Sequence, residues 1–183
     1  MKPTLLLIDL QNDYFPGGRM ELDGSVEAGL RAQALLAFFR NRQWPVVHIQ
    51  HISIRPGATF FLPDTDGALI HESVAPLPGE RVVQKNYPNA FRATPLPELL
   101  KDSGSRSLII CGAMTHMCVD STVRAAFDLG FECTVAADAC ATRGLKSGAD
   151  IIPARTVHAV FLAALGGMFA TVATADDVMN QMK

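Results

Sequence analysis

Three side chains of the sequence, those of Asp9, Lys85 and Cys118, could together carry out nucleophilic catalysis. A cysteine attacks as a thiolate, and a nearby cation or a helix N-terminus lowers the pKa of its thiol. The Asp9 carboxylate could accept the thiol proton and later return it to a leaving amine. The Lys85 ammonium would keep Asp9 ionised and stabilise developing negative charge. Each residue also has a structural alternative, namely a core thiol, a cap or turn residue, and a solvated lysine.

The elements that must position these side chains follow from the hydrophobic pattern. Short apolar runs predict buried strands at Thr4–Asp9, Val46–Gln50, Arg81–Lys85, Ser107–Cys111, Phe131–Ala136 and Phe169–Ala173. Helical spacing predicts helices at Ser25–Gln43, Pro97–Asp102, Met117–Leu129 and Pro153–Leu165, and a short final helix capped by Thr174. Strands that alternate with helices predict a three-layer α/β/α fold, in which a doubly wound, mostly parallel six-stranded sheet carries helices on both faces.

The topology of such a sheet can bring the three candidates to one edge. Asp9 and Lys85 end predicted strands, and Cys118 lies at the start of the helix that follows the fourth strand. Open α/β sheets bind ligands beyond the carboxyl ends of their strands, where the strand order reverses. If the first and fourth strands are neighbours at that point, the three side chains can converge. Backbone N–H groups around Met114 and Cys118 would then be placed to form an oxyanion hole.

The composition is that of one globular domain. The 183 residues, of which 49% are hydrophobic, fit a single domain spanning residues 1–183. With 16 basic and 18 acidic residues the charge is nearly balanced, and no basic stripe or long apolar run predicts a nucleic-acid or membrane partner. No signal-peptide pattern precedes Asp9, so a cytoplasmic protein is expected. The four cysteines are interpreted as free thiols, three of which fill the core: Cys111, Cys133 and Cys140.

Several motifs resemble those of the isochorismatase-like cysteine hydrolases. They are LLLIDLQNDYFPGG at Leu5–Gly18, QKNYPNAF at Gln84–Phe91, CGAMTHMCVDSTVRAAFDLGF at Cys111–Phe131 and ADACAT at Ala137–Thr142. The similarity runs across essentially the whole chain, in the order and spacing of the family. It implies that Asp9, Lys85 and Cys118 form the Asp–Lys–Cys triad of this family.

The resemblance also implies the geometry of the loop before the cysteine. In this family the loop contains a cis peptide bond, which here would join Ala113 and Met114. That bond turns backbone N–H groups toward the substrate, in agreement with an oxyanion hole formed by Ala113, Met114 and Cys118. Thr115 would brace the loop by hydrogen bonds, and the alternative role for its hydroxyl is to stabilise a simple turn.

The family branch of the nicotinamidases binds a metal through an Asp-x-His motif after the second strand. The corresponding stretch here is HIQHIS, which has His51 and Ser53 at the two positions. His48 and His51 could in principle bind a metal, but residues three apart on a strand point to opposite faces. We therefore expect no metal and no other cofactor, and nicotinamide is not favoured as the substrate.

The resemblance implies a small-molecule substrate without identifying it. Candidate residues for its pocket are Phe15, Tyr87, Phe91, His116 and Met117. Aromatic side chains near a parallel sheet are also typical of the core, and His116 could simply lie at the helix entrance. The loop from Pro56 to His71 is long and rich enough in glycine to form a lid or a subunit contact. Because this family commonly forms dimers or tetramers, a homo-oligomer is expected.

The resulting prediction is a cysteine-dependent hydrolase. Cys118 would cleave the C–N bond of a small carboxamide or lactam through a thioester intermediate. Isochorismatases proper have another residue at the cysteine position, because vinyl-ether hydrolysis needs no thiol nucleophile. Two alternatives stay open: ether hydrolysis of the isochorismatase type without covalent catalysis, and a non-enzymatic binding module that has kept the fold. The presence of all three triad residues favours an enzyme.

Overall fold

The computed structural model describes residues 2–182, and its central feature is a parallel sheet of six strands. Within these residues the strands are β1 (Thr4–Ile8), β2 (Val46–His51), β3 (Arg81–Lys85), β4 (Ser107–Ala113), β5 (Glu132–Ala141), β6 (Leu145–Ser147), β7 (Asp150–Ile152) and β8 (Thr171–Ala173). The helices are α1 (Ser25–Asn41), α2 (Leu96–Asp102), α3 (Asp120–Asp128), α4 (Ala154–Gly166) and α5 (Ala175–Gln181). The sheet has the order β3-β2-β1-β4-β5-β8, whereas β6 and β7 form a separate antiparallel hairpin. The predicted doubly wound parallel sheet is confirmed.

Strands β1 and β4 form the centre of the sheet because their residues are apolar on both faces. The residues from Leu5 to Ile8 are at most 2% exposed, and Leu5 lies opposite Ile109 of β4. The chain adds β2 and β3 on one side of this pair and β5 and β8 on the other. The strand order therefore reverses between β1 and β4, which is the condition for the three candidate residues to converge.

The helices cover both faces of the sheet. Helices α1 and α5 contact each other and pack against β5, and α3 and α4 form a second contacting pair. Right-handed crossovers that run in opposite directions from the centre place these two pairs on opposite faces. Helix α5 begins after Thr174, whose hydroxyl accepts a hydrogen bond from the Asp177 backbone N at 3.1 Å, so the predicted cap is confirmed.

The structure differs from the sequence prediction at several boundaries. The first strand ends at Ile8, because Asp9 has a positive φ of 52°. Strand β5 continues beyond Ala136 to Ala141, since the register shifts after Ile110 and the end of β5 pairs with the end of β4. The helix predicted after the fourth strand begins as a wide π-helical turn, Thr115–Val119, which leads into α3. The β6–β7 hairpin is not predicted, because three-residue strands are too short to show an alternating pattern.

Two further expectations concern the cysteines and the membrane. All four cysteines are buried and free, and Cys111, Cys133 and Cys140 lie on β4 and β5 within the core, as predicted. None of the helices formed by residues 2–182 combines the length and the hydropathy that crossing a bilayer requires.

Candidate active site

The edge of the sheet at the carboxyl ends of β1 and β3 brings Asp9, Lys85 and Cys118 together. Asp9 directly follows β1, Lys85 is the last residue of β3, and Cys118 lies in the π-helical turn that leads into α3. Lys85 Nζ lies 2.7 Å from Asp9 Oδ2 and 3.2 Å from Cys118 Sγ. All three residues are at most 3% exposed. The sequence-predicted triad residues therefore form one closed, buried cluster.

The Lys85 ammonium has two further acceptors, which are His51 Nδ1 at 3.0 Å and the Tyr87 carbonyl oxygen at 3.2 Å. Because an ammonium can only donate, His51 Nδ1 must accept, and the ring proton of a neutral His51 lies on Nε2. Burial lowers the pKa of His51 to about 4, so the ring is neutral near pH 7. The sequence interpretation considered His51 only as a metal ligand. Its register position opposite Lys85 becomes visible only once β2 and β3 pair.

The resting cluster contains a neutral thiol rather than a thiolate. Burial and the charge of Asp9 raise the pKa of the Cys118 thiol well above its ordinary value, and the charge of Lys85 lowers it by less. The lowered thiol pKa that the sequence suggests is therefore wrong for the resting state. Burial lowers the pKa of Lys85, but the charge of Asp9 and the contact with Cys118 raise it overall, so the ammonium stays protonated.

Neither oxygen of the Asp9 carboxylate accepts an aligned N–H bond from the described residues. Asp9 Oδ1 is buried without a partner among the described residues. Asp9 Oδ2 forms the 2.7 Å ion pair with Lys85, yet the alignment of this contact is not that of a hydrogen bond. Buried carboxylate oxygens ordinarily accept hydrogen bonds from nearby donors. The Asp9 oxygens are an exception, and they therefore remain available to accept a proton.

The donors around Lys85 do not fit a metal centre. One donor atom each from Asp9, His51 and Cys118 lies within 4.8 Å of the others, and zinc binds such a set. However, Lys85 Nζ contacts all three donors at 2.7 to 3.2 Å, so a cation already lies where the metal would bind. His48 turns away from this cluster, because its Nε2 lies 2.9 Å from the Glu80 carboxylate. The two histidines therefore point apart, as the strand geometry predicts.

The loop between β4 and the π-helical turn is held by contacts to neighbouring elements. The peptide bond between Ala113 and Met114 is cis. The Thr115 hydroxyl donates to the Ala141 carbonyl oxygen at 3.2 Å and lies 2.9 Å from His158 Nδ1. The bracing contacts expected for Thr115 are present and connect this loop to β5 and α4. An oxyanion hole formed by the loop stays a prediction.

Two of the five predicted pocket residues lie in the core. Phe15 is buried and stacks on His71 with ring centroids 3.6 Å apart. Phe91 is also buried, and its ring packs against Phe131 with centroids 6.1 Å apart. For these two residues the surroundings favour the alternative interpretation as core side chains.

The other three predicted pocket residues are half-buried or exposed. The backbone carbonyl oxygen of Tyr87 accepts a hydrogen bond from Lys85 Nζ at 3.2 Å. His116 is half-buried, and its Nδ1 lies 2.5 Å from the Thr142 hydroxyl. Met117 directly precedes the cysteine and is 37% exposed. These side chains keep accessible surface that a substrate could contact.

Tyr14 lies within electrostatic reach of the cluster, and Arg143 lies within reach of Tyr14, although the sequence indicates neither residue as part of a site. Burial raises the pKa of the Tyr14 hydroxyl, and the charges of Cys118 and Asp9 raise it further. The exposed Arg143 side chain opposes this rise, and after burial it is the largest influence that lowers the pKa of His116. The interaction between charged groups weakens with distance, so groups remote in sequence influence each other only when folding brings them close. No sequence signal could therefore have identified this pair.

Phe61, in the long loop after β2, packs beside the cluster against Tyr14 and His51. Its ring is fully buried and lies 4.5 Å from the Tyr14 ring and 5.9 Å from the His51 ring. Its backbone N donates to Asp13 Oδ2 at 2.6 Å. A Cβ atom at Gly67 would overlap the Asp13 carboxylate, so this close approach requires glycine. The loop is therefore packed against the site by buried contacts.

Comparison with known proteins agrees with this architecture. The profile of the isochorismatase domain matches residues 3–177. YddQ, an uncharacterised isochorismatase family protein of Bacillus subtilis, is 48% identical over 176 residues, which are 96% of this chain and 98% of YddQ. The maleamate amidohydrolase of Pseudomonas putida is 29% identical over 197 aligned positions. The alignment covers 100% of this chain and 87% of the amidohydrolase.

A solved structure shows the same fold at similar identity. The crystal structure of a protein from Oleispira antarctica that is assigned to the isochorismatase hydrolases superimposes with a TM-score of 0.94. The two sequences are 48% identical, and the alignment covers 98% of this chain and 96% of the other. The sequence profile, the relatives and the fold agree, and the chain therefore belongs to the isochorismatase family of hydrolases.

Proposed function

We propose that this chain hydrolyses the C–N bond of a small carboxamide or lactam through a thioester on Cys118. The observation that carries the proposal is the buried contact of one ammonium, Lys85 Nζ, with both Cys118 Sγ at 3.2 Å and Asp9 Oδ2 at 2.7 Å. A thiol, a carboxylate able to accept its proton and a fixed cation are the groups that acyl transfer to sulfur requires. The similarity to maleamate amidohydrolase supports an amide as the substrate.

In the first half-reaction, Asp9 accepts the thiol proton while Cys118 Sγ attacks the carbonyl carbon. An S–C bond forms, and the carbonyl oxygen takes up the negative charge. When this intermediate collapses, the C–N bond breaks and the protonated Asp9 gives its proton to the leaving nitrogen. The products of this half-reaction are a thioester on Cys118 and a free amine, or a tethered amine if the substrate is a lactam.

In the second half-reaction, Asp9 accepts a proton from water, and the water oxygen attacks the thioester carbonyl. The C–S bond breaks, the acid is released, and Asp9 returns the proton to the Cys118 sulfur. The net reaction converts an amide and water into an acid and an amine, and the enzyme regains its starting state. Lys85 remains positive throughout and stabilises whichever neighbour carries the negative charge.

The raised pKa of the Cys118 thiol explains why the mechanism needs a base beside the nucleophile. A thiol that stays protonated at rest cannot attack until its proton leaves. In this proposal Asp9 removes that proton as the S–C bond forms, instead of relying on a stable thiolate. The burial of the cluster also favours a small substrate, because little of Cys118 is open to solvent.

The proposal is tested by screening primary carboxamides and lactams with the wild-type protein and two cysteine variants. Ammonia release and mass spectrometry of the acid products measure turnover. We expect Cys118→Ala to lose at least about a thousandfold in turnover, as removal of a nucleophile does in other hydrolases. Cys111→Ala removes a buried thiol outside the cluster and serves as the matched control.

The same set of variants distinguishes the alternatives. A wild-type thioester detected as an acyl adduct on Cys118 by intact-protein mass spectrometry would support the proposal. Undiminished amide turnover by Cys118→Ala would contradict it. Turnover of a chorismate-type vinyl ether that survives Cys118→Ala would instead favour ether hydrolysis, with Cys118 as a bystander.

A further inference from the structure

Two independent sets of contacts hold the backbone of His51 at the cluster. In the parallel pairing of β2 with β3, His51 lies directly opposite Lys85. The Gln11 carboxamide holds the His51 backbone from the other side, because His51 N donates to Gln11 Oε1 at 2.7 Å and Gln11 Nε2 donates to His51 O at 2.9 Å. The backbone of His51 is therefore fixed, and its Nδ1 faces the Lys85 ammonium.

The Lys85 ammonium has fewer N–H groups than neighbours. It carries three N–H donors, whereas four acceptor atoms lie within 3.2 Å: His51 Nδ1, the Tyr87 carbonyl oxygen, Cys118 Sγ and Asp9 Oδ2. The contacts to the first three have hydrogen-bond geometry. The contact to Asp9 is the shortest but is not aligned as a hydrogen bond. One acceptor must go without a directed N–H group, and in this arrangement it is the carboxylate.

We propose that His51 is a positioning residue, which together with the Tyr87 carbonyl engages two N–H groups of Lys85 and directs the third at Cys118 Sγ. Both of these acceptors are uncharged and fixed, so neither changes when a proton moves within the cluster. The third N–H group is then already aimed at the atom on which negative charge develops. Neither Asp9 oxygen then receives a directed N–H group from Lys85, so Asp9 can take the proton of the thiol.

This role rests on the proposed function, in which Cys118 becomes negative as its proton passes to Asp9. The N–H group aimed at sulfur stabilises the thiolate, because hydrogen bonds from a cation to an anion are stronger than those to a neutral group. Without His51 Nδ1, one N–H group of Lys85 would be free to turn to Asp9 Oδ2, which lies only 2.7 Å away. That bond would weaken Asp9 as a base and draw the ammonium toward the carboxylate and away from Cys118 Sγ, which leaves the thiolate less stable.

The test compares His51→Leu, which removes the acceptor, with His51→Asn, whose side-chain oxygen can lie where Nδ1 lies. The rate of iodoacetamide alkylation of Cys118 is measured against pH, with the modified peptide identified by mass spectrometry. This measurement needs no substrate. The groups that face the thiol and can influence its titration are Asp9, Lys85, His51, Tyr14 and, through His51, Arg55.

We expect His51→Leu to raise the apparent pKa of the Cys118 thiol by about one unit, and to slow its alkylation near neutral pH about tenfold, which is the effect of one charge-assisted hydrogen bond. His51→Asn should restore the rate to within about threefold of wild type, since an uncharged acceptor is again present. On a responsive amide, His51→Leu should lower kcat and leave KM almost unchanged.

Two results would overturn the proposal. The first is that His51→Leu shows the same alkylation profile as the wild-type protein. The second is that His51→Asn is alkylated as slowly as His51→Leu, although circular dichroism shows that both variants are folded. A purely structural role would lower the melting temperature without shifting the alkylation profile. If the wild-type protein turns over no amide but the profiles shift as expected, the proposed function fails and the role of His51 in positioning Lys85 stands.

Discussion

Lys85 Nζ lies 2.7 Å from Asp9 Oδ2, and neither side chain is exposed to solvent. Strands β1 and β3 are not neighbours, because β2 lies between them, so the Lys85 side chain reaches across the end of β2 to make this pair. Removing a charge from water is costly, and in this pair each charge offsets the cost of burying the other. The ion pair therefore couples the stability of the fold to the chemistry of the site.

The first prediction is that the two charges depend on each other for stability. Asp9→Asn leaves the Lys85 ammonium without its buried counter-charge, and Lys85→Met leaves the carboxylate without a cation. Each variant is expected to lower the free energy of unfolding by about 3–5 kcal/mol, as breaking a buried ion pair does. Asp9→Asn/Lys85→Met buries neither charge and should be more stable than either single variant, although inactive.

Urea unfolding of these four proteins measures the coupling as a double-mutant cycle. If the losses of the two single variants add up in the double variant, the charges do not interact and the prediction is wrong.

The second prediction concerns acid stability and rests on Glu80. Its carboxylate accepts hydrogen bonds from Arg40 at 2.7 and 2.8 Å, from His48 at 2.9 Å and from the Leu77 backbone N at 2.9 Å. Burial raises the pKa of Glu80, but these hydrogen bonds outweigh it and lower the pKa from 4.5 to about 2. A carboxyl group whose pKa is lower in the folded state stabilises the fold above its unfolded pKa, and this stabilisation is lost as the pH falls through the folded pKa.

Glu80→Gln should therefore be less stable than wild type near neutral pH, by about 1–3 kcal/mol, which is the range for hydrogen bonds to a charged group. The difference should shrink as the pH falls from 4.5 toward 2. Denaturant titrations over a series of pH values measure it, with Glu72→Gln, an exposed position of the same loop, as the control. A difference that stays constant with pH would show that the charge of Glu80 contributes nothing.

The third prediction concerns the strand pair at which the sheet order reverses. Gly112 of β4 has a φ of 134°, and a Cβ atom there would overlap the backbone of Ile8, including its carbonyl oxygen. Gly112→Ala is therefore expected to lower the free energy of unfolding by about 3 kcal/mol or more, because both the backbone conformation and the space are unsuitable. Activity should fall with it, since Asp9 directly follows Ile8.

Gly130→Ala is the matched control for backbone strain alone. Gly130 has a φ of 86°, but a Cβ atom there would meet nothing within 4 Å. Its substitution should cost only about 1–2 kcal/mol, which is the penalty for a left-handed conformation. Melting curves of the two variants compare these losses, and equal losses would mean that the approach of β4 to β1 is not tight.

Local patterns were sufficient to predict the fold class and to place the three candidate residues at one edge of the sheet, whereas the family resemblance implied that they form a triad. Apolar runs such as Thr4–Ile8 are buried on both faces of a parallel sheet, so they can be recognised without knowledge of their neighbours. Asp9 and Lys85 follow such runs directly, and the strand-end rule for α/β sheets then places them at one edge. The expected homo-oligomer and cytoplasmic location stay predictions, because neither depends on the packing within one chain.

The sequence by itself thus determined which residues could carry out the chemistry, whereas the tertiary structure decided their protonation and their partners. The pKa of the Cys118 thiol is raised because burial and Asp9 outweigh Lys85, and burial is a property of the packed chain. His51 faces Lys85 because β2 and β3 pair in a register that sets the two residues opposite each other, although 34 positions separate them along the chain. Hydrogen bonds and charges act through distance, and the folded sheet alone sets the distances between side chains that are remote in sequence.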